Sequence, residues 1–428
     1  MSSPYKTFSI HSFGCKVNFA DAATISTKLL EKGLSLVDNN SIADIYIVNT
    51  CSVTENADNK ANKFIKSINL NFPFSKIVVT GCYAQLEPQK INALPGVNLV
   101  VGMKDKFNID KFISDDDSLN ESIYSSIEGI NKFESSYSTN ERTRSFIKIQ
   151  DGCSYNCSYC TIPNARGISR SGTIDETIDK IKIIVNSGIK EIVLSGINVG
   201  DFGDRKENLY NLLVEIEKIV KLKRYRISSI EPNLLNDKII NLISKSKKAL
   251  PHFHIPLQSG SNKVLKDMKR RYNTSDYKKL IVNIKNKIPD VCIGVDVIVG
   301  FPTESDDNFM ETYNFIKQLE ISYLHVFSYS KRANTEAFNI PSIVNRSDII
   351  YRRKMLQELS SEKLDKHIYN NLNQVKEVLF EEFDNGVVSG LTDNYIRVYV
   401  KSDFPLKNKI KKVKLVDYNE NVNGCFYE

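Results

Sequence analysis

The chain predicts an α/β protein in three parts: an amino-terminal parallel-sheet domain (1–113), a central partial barrel of six strand–helix units (141–365), and a small all-β barrel (371–428). Three observations carry this. Strand-length apolar runs alternate with amphipathic helical runs over the first two stretches, as parallel sheets require. From about residue 371 that alternation gives way to short apolar runs separated by polar turns. Cysteines also recur just after predicted strands, at one end of each sheet, where open α/β sheets hold their ligands.

In the first part the strands are expected at Phe8–Ile10, Ile45–Val48, Ile77–Thr80 and Leu99–Val101, with helices over Ala20–Lys32 and Asn56–Ile68. Residues 114–140 turn acidic and serine-rich, with Asp115-Asp116-Asp117, and read as a linker with room for one short strand. In the second part the strands are Ser145–Ile149, Glu191–Ser195, Tyr225–Ser229, His252–Pro256, Cys292–Val299 and Tyr323–Ser328. Helical runs lie over Ile174–Ser187, Lys206–Ile219, Asn262–Met268 and Ser305–Leu319. Six parallel units suggest an incomplete barrel with its site at the carboxyl ends of the strands; periodicity leaves a second doubly wound sheet open. In the third part the strands are Val375–Glu382, Gly386–Ser389, Tyr395–Tyr399 and Lys411–Val416. The run Lys401–Lys414 holds six lysines and one acid. It fits either a solvated edge that discourages strand pairing or a contact with RNA.

At 428 residues the chain has room for two or three domains, and its net charge of +7 permits a nucleic-acid partner without requiring one. No apolar run approaches the ~18 residues of a membrane span, and the first residues lack a signal pattern, so a cytoplasmic protein with no membrane partner is expected. Eight cysteines in a reducing compartment point to metal or catalysis more than to disulfides.

Cys153, Cys157 and Cys160 stand at the spacing C-x3-C-x2-C with no fourth cysteine nearby. Four would fill a tetrahedral zinc site or close an iron–sulfur cubane; three leave one iron open for chemistry. The plainer reading is a zinc site or scattered core thiols. Cys15, Cys51 and Cys82 each follow a predicted strand of the first domain, roughly one βα unit apart, and make a plausible second three-thiolate site; the plainer reading is three buried cysteines. Gly14 and Gly81 put a small residue beside two of those thiols. Arg166 and Arg170 follow the first motif and could pair with a carboxylate or phosphate, or be surface charge. His254 reads as structural, Cys292 as a core residue and Cys425 as an incidental thiol.

Along its whole length the chain resembles the methylthiotransferase family of radical S-adenosylmethionine (SAM) enzymes. The stretches that carry the resemblance are Gly14–Asn18, Asn49–Thr54, Thr80–Gln85, Gln150–Arg170, Leu194–Asn198, Ser228–Pro232, His252–Ser261 and Val295–Pro302. It implies an amino-terminal α/β domain, a radical SAM partial barrel and a TRAM barrel. It implies two 4Fe-4S clusters, one on Cys153, Cys157 and Cys160 that cleaves SAM to a 5′-deoxyadenosyl radical, the other on Cys15, Cys51 and Cys82 that carries the sulfur. Tyr159, Gly196, Ser228, Glu231 and Gly300 would contact SAM.

Gly-Cys-Lys-Val-Asn at residues 14–18 is most similar to the branch acting on N6-threonylcarbamoyladenosine at tRNA position 37. That substrate carries a carboxylate, which Arg166 and Arg170 are expected to meet. The resemblance also implies an electron-donor protein and a sulfur source as partners. Alternatives are methylthiolation of isopentenyladenosine or of a ribosomal-protein aspartate, and, in another class, a non-catalytic iron–sulfur or RNA-binding protein.

Overall fold

The computed structural model describes residues 5–113, 122–123, 127, 130, 132–138, 143–204 and 206–427. Most of the predicted linker, including Asp115–Asp117, lies outside the described residues, as do residues 1–4.

The amino-terminal sheet has six parallel strands in the spatial order Ser35–Leu36, Thr7–Ser12, Ile45–Thr50, Lys76–Gly81, Val97–Val101, Ser122–Ile123. Ile45–Thr50 is buried along its whole length, which explains its unbroken apolar start. Ile45 and Ile47 face helix Lys16–Glu31 through Ile25 and Leu29. Tyr46 and Val48 face helix Glu55–Asn71 through Ala61, Ile65 and Ile68. The first of these helices starts four residues earlier than periodicity predicts. Cys15 is its N-cap and makes no side-chain capping bond, so the start carries no Ser/Thr/Asp/Asn signal.

The central part is an open, curved sheet of six parallel strands: Arg144–Lys148, Glu191–Ser195, Arg224–Ile227, His252–His254, Cys292–Val299 and Tyr323–Ser328. Bridges Tyr225–Ala249 and Ser229–His254 join its two halves. Ser136–Tyr137 adds a short antiparallel strand at the outer edge. Alternation along each strand sends Ile147, Ile192, Leu194, Ile227, Phe253, Val295 and Val297 outward into one core under the helices. The intervening residues, among them Lys148, Arg226, His252, His254 and Asp296, face the lumen. Helices Asp237–Lys245, Thr274–Lys287 and Arg346–Tyr369 add to those predicted. The last, 24 residues long, lies on the final strand; its Leu356 and Leu359 enter the core, and Ser360 bonds the Leu324 amide at 2.8 Å. No helix among the described residues is long and apolar enough to cross a membrane.

The carboxyl-terminal part is a closed barrel of five strands in the order Val375–Asp384, Val387–Thr392, Arg397–Lys401, Val422–Phe426, Ile410–Tyr418. The sequence pattern had shown four. The fifth was hidden by Asn423-Gly424, a pair that ordinarily marks a turn; here a Cβ on Gly424 would lie 2.4 Å from Val413 Cγ1, so only glycine fits.

This barrel plugs the base of the central sheet. Glu191 accepts from Arg224 Nε at 2.7 Å and from Arg226 Nε at 2.9 Å, all three buried. The same guanidinium groups reach down to barrel carbonyls, Arg226 to Thr392 (2.7 Å) and Asp393 (2.8 Å), Arg224 to Leu391 (3.2 Å). Tyr395 closes the seam, stacked on His252 with ring centroids 4.3 Å apart. Replacing Glu191 with Ala leaves two buried cations facing one another and is expected to lower stability by about 3–5 kcal/mol in urea denaturation. A change below about 1 kcal/mol would mean that the carbonyls alone hold the two arginines.

Candidate functional site: two thiol triads at the ends of two sheets

Gln150–Asp151 pairs antiparallel with Arg170–Ser171 and closes a loop that displays Cys153, Cys157 and Cys160 beyond the first barrel strand. The loop is pinned from several sides. Cys153 donates its amide to the Gly167 carbonyl at 3.0 Å, Ser158 donates its own to Met268 at 3.2 Å, and the Ser158 carbonyl accepts from Ala337 at 2.8 Å. Burial pushes the Cys153 thiol up to about 11 and Cys160 to about 12, so these groups become thiolates on binding a metal. Arg270 stands over Cys157: Nη1 donates to Sγ at 3.1 Å, Nε to the Tyr272 hydroxyl at 3.1 Å, and Nη2 to Glu231. Three convergent thiols, one already hydrogen-bonded by a cation, fit an iron–sulfur cluster with one open iron.

Beside this triad, two buried polar atoms have no partner among the described residues, Ser228 Oγ and Asn198 Nδ2. Both lie just past strand ends, and Asn198 Oδ1 accepts the Glu231 amide at 3.2 Å. Unpaired buried groups of this kind suit a polar cofactor such as SAM. Gly196 packs against Gln150, whose Oε1 would lie 2.9 Å from a Cβ there. Tyr159 has its ring among Val264, Met268, Phe301 and Ala337. At Gly300, Ile349 fills the space a side chain would take, and the Gly300 amide donates to Glu304 at 2.7 Å, which seats the long helix against the end of its strand. Asn198 was not singled out in the sequence because a lone Asn after a strand reads as a turn residue.

The second triad forms where three strands of the amino-terminal sheet end. Cys15 is exposed, while Cys51 and Cys82 are buried. Burial first, then the neighbouring Cys82 and Cys15, push Cys51 up to about 12. Gly14, at φ +96°, lets the chain pass so close that a Cβ would lie 2.5 Å from the Cys51 Cβ.

Arg166 ties the triads together. Fully buried, it donates from Nε to Cys82 Sγ at 3.2 Å, from Nη1 to Asp151 Oδ1 at 2.7 Å, and from Nη2 to Asn18 Oδ1 at 2.5 Å. Around it Asp21 binds Lys106 and Lys148, and Asp151 binds Lys148 and Arg170. Burial raises the Asp21 pKa, but Lys106, Lys148 and Arg166 outweigh it and bring it to about 2. Two carboxylates thus meet four cations. A cluster on deprotonated Cys15, Cys51 and Cys82 would supply the missing negative charge, and in that sense the residues fit it. Arg166 and Arg170 have not been left free for a substrate carboxylate: every Arg166 nitrogen is engaged, and Arg170 holds the carbonyls of Lys132, Arg166 and Ile168 as well as Asp151.

In the lumen, Asp296 Oδ1 accepts from His254 Nε2 at 2.8 Å and His325 Nδ1 at 3.2 Å, so His254 is part of a polar group. Burial, then Arg144 and Arg226, lower Lys16 to about 8. Cys292 is buried in the core and Cys425 exposed on the fifth barrel strand.

Residues 147–316 match the radical SAM superfamily and residues 7–102 the uncharacterized protein family UPF0004. The threonylcarbamoyladenosine tRNA methylthiotransferase MtaB of Bacillus subtilis is 38% identical over 97% of this chain and 95% of its own length. That of Aquifex aeolicus is 35% identical over 90% and 95%. A tRNA-2-methylthio-N(6)-dimethylallyladenosine synthase from Endomicrobium trichonymphae is 31% identical over 92% and 93%. Among solved structures, the radical SAM methyltransferase TsrM from Kitasatospora setae shares the fold at TM-score 0.57 and 13% identity, covering 78% of this chain and 77% of its own. The chain belongs to the radical SAM methylthiotransferase family. Membership of the superfamily implies SAM and a 4Fe-4S cluster.

Replacing Arg166 with Met removes the nearest cation from Asp151, which keeps Lys148 at 3.3 Å and Arg170 at 3.4 Å, and should cost about 1.5–3 kcal/mol in chemical denaturation. Lys at this position should recover only part, since one ammonium cannot serve Cys82, Asp151 and Asn18 together. Full recovery by Lys would show that charge alone, and not the fork, is required.

Proposed function

We propose that the protein converts N6-threonylcarbamoyladenosine beside the tRNA anticodon to its 2-methylthio derivative. The observation that carries this reading is the junction of two three-thiol sets through Arg166. The naming of the relatives that match over nearly the whole chain supports the substrate. The target C2–H is neither acidic nor electrophilic, so side-chain acids and bases cannot remove it, and the cofactors carry the hard step. Cys153, Cys157 and Cys160 would hold the cluster that, with SAM, supplies hydrogen-abstracting radical chemistry, and Cys15, Cys51 and Cys82 would hold a second cluster that supplies the sulfur. The chain's own groups hold and orient these. Arg270 and Glu231 steady Cys157, Ser228 and Asn198 offer bonds to SAM, and Gly196 and Tyr159 shape its place.

An electron-donor protein, a sulfur source and a cytoplasmic setting complete the reading, as does assignment of 1–113, 141–365 and 371–428 to sulfur-carrying, radical and RNA-gripping domains. Lys409, Lys411 and Lys412 are exposed on the small barrel, which suits contact with tRNA. Electron carriers fill all four cluster positions, whereas both sets here offer three.

The deciding experiment is nucleoside mass spectrometry of threonylcarbamoylated tRNA incubated with reconstituted enzyme, SAM, reductant and sulfide. The 2-methylthio product is expected; reaction only with isopentenylated tRNA would move the enzyme to the other branch. Reconstituted protein should hold about eight irons. Changing Cys15, Cys51 and Cys82 together to Ala should leave about four and spare SAM cleavage. Loss of cleavage in that variant would contradict separate roles. Charge reversal at Lys409, Lys411 and Lys412 should weaken tRNA binding and flatten its salt dependence; an unchanged salt slope would put the RNA elsewhere.

A further inference from the structure

The last parallel strand, Tyr323–Ser328, buries Leu324 on its outer face but leaves His325 and Phe327 exposed on its inner face. The lumen beside it is therefore open. Asp296 fixes the His325 ring through Nδ1. With Nδ1–H donating, the neutral ring presents Nε2 to the lumen as an acceptor.

On the opposite side the helix Lys16–Glu31 enters. Phe19 and Ala20 pack on the inward-facing Phe146 and Val193. Lys16 lies one turn before Ala20 on the same helix face. The charged groups that act on it, Arg144, Arg226 and Glu191, belong to the inner faces of three successive strands. Those arginines are already engaged: Arg144 binds Glu381 at 2.8 Å, and Arg226 binds Glu191 and two barrel carbonyls. Lys16 has no hydrogen-bond or ion-pair partner among the described residues. It also follows Cys15 directly, so whatever it holds sits beside the second thiol triad. A free ammonium among spoken-for cations favours an anionic guest, and a buried carboxylate is costly without such a partner.

Building on the proposed substrate, we infer that the lumen receives the group on N6 of the target adenosine, with Lys16 pairing with its carboxylate and His325 accepting from its hydroxyl. Lys16 and His325 are thus specificity residues for this reaction. Arg166, by contrast, serves the thiol junction.

The test is the binding of reconstituted enzyme to anticodon stem-loops carrying threonylcarbamoyladenosine, its methyl ester, or plain adenosine. Wild type should prefer the acid to the ester by about tenfold or more. Lys16→Gln should lose that preference while binding the plain RNA as before, and Lys16→Arg should keep it. A preference retained in Lys16→Gln, or an equal loss for all three RNAs, overturns the inference. If Lys16→Gln fails to load iron, the wild-type comparison of acid with ester decides, and equal affinities overturn it. Wild type binding the acid no better than plain adenosine would instead remove the substrate reading, and this inference with it.

Discussion

A single buried guanidinium, that of Arg166, joins the amino-terminal domain to the radical SAM domain. It belongs to the loop of the first thiol triad, yet one of its donors lies on Cys82 of the second. Its other contacts, Asp151 in its own loop and Asn18 and Asp21 on the amino-terminal helix, hold that loop and helix in one arrangement. A buried cation tolerates little displacement, because each lost partner leaves charge in a low-dielectric interior. The relation between the triads is thus set by electrostatics as much as by packing.

The remaining architecture keeps that junction in place. Parallel strands bring all six cysteines to carboxyl-terminal sheet edges, and the small barrel closes the other end of the central sheet through Arg224, Arg226 and Glu191. Chemistry and closure occupy opposite ends. The inner surface between them carries polar and aromatic side chains, among them His254, Asp296, His325 and Phe327.

Much of this was legible in the sequence. The strand runs Glu191–Ser195 and Cys292–Val299 are those of the structure, because strands buried on both faces read as near-continuous apolar segments. Tyr323–Ser328 is also that of the structure, but it is legible by alternation, with Leu324 buried and His325 and Phe327 exposed. Both cysteine sets follow strands as the spacing indicated. What could not be read was what each charge touches. Arg166 and Arg170 look like surface residues in a Gly-Ile-Ser loop, and only tertiary folding shows Asp151 and Asn18 around them. Asp296 and His325 are far apart in sequence and meet only because their strands pair in that register. The fifth strand of the small barrel was concealed by its Asn-Gly pair.

Closure of that barrel also bears on how the chain is made. Strands Arg397–Lys401 and Ile410–Tyr418 precede in sequence Val422–Phe426, the strand that fills the gap between them. Until then each offers a row of unpaired amides and carbonyls to any neighbouring chain. Lys411, Lys412 and Lys414 line one of those two edges, and like-charged lysines on two nascent copies repel each other there. The lysine stripe thus disfavours pairing with another copy at that edge until Val422–Phe426 closes the barrel.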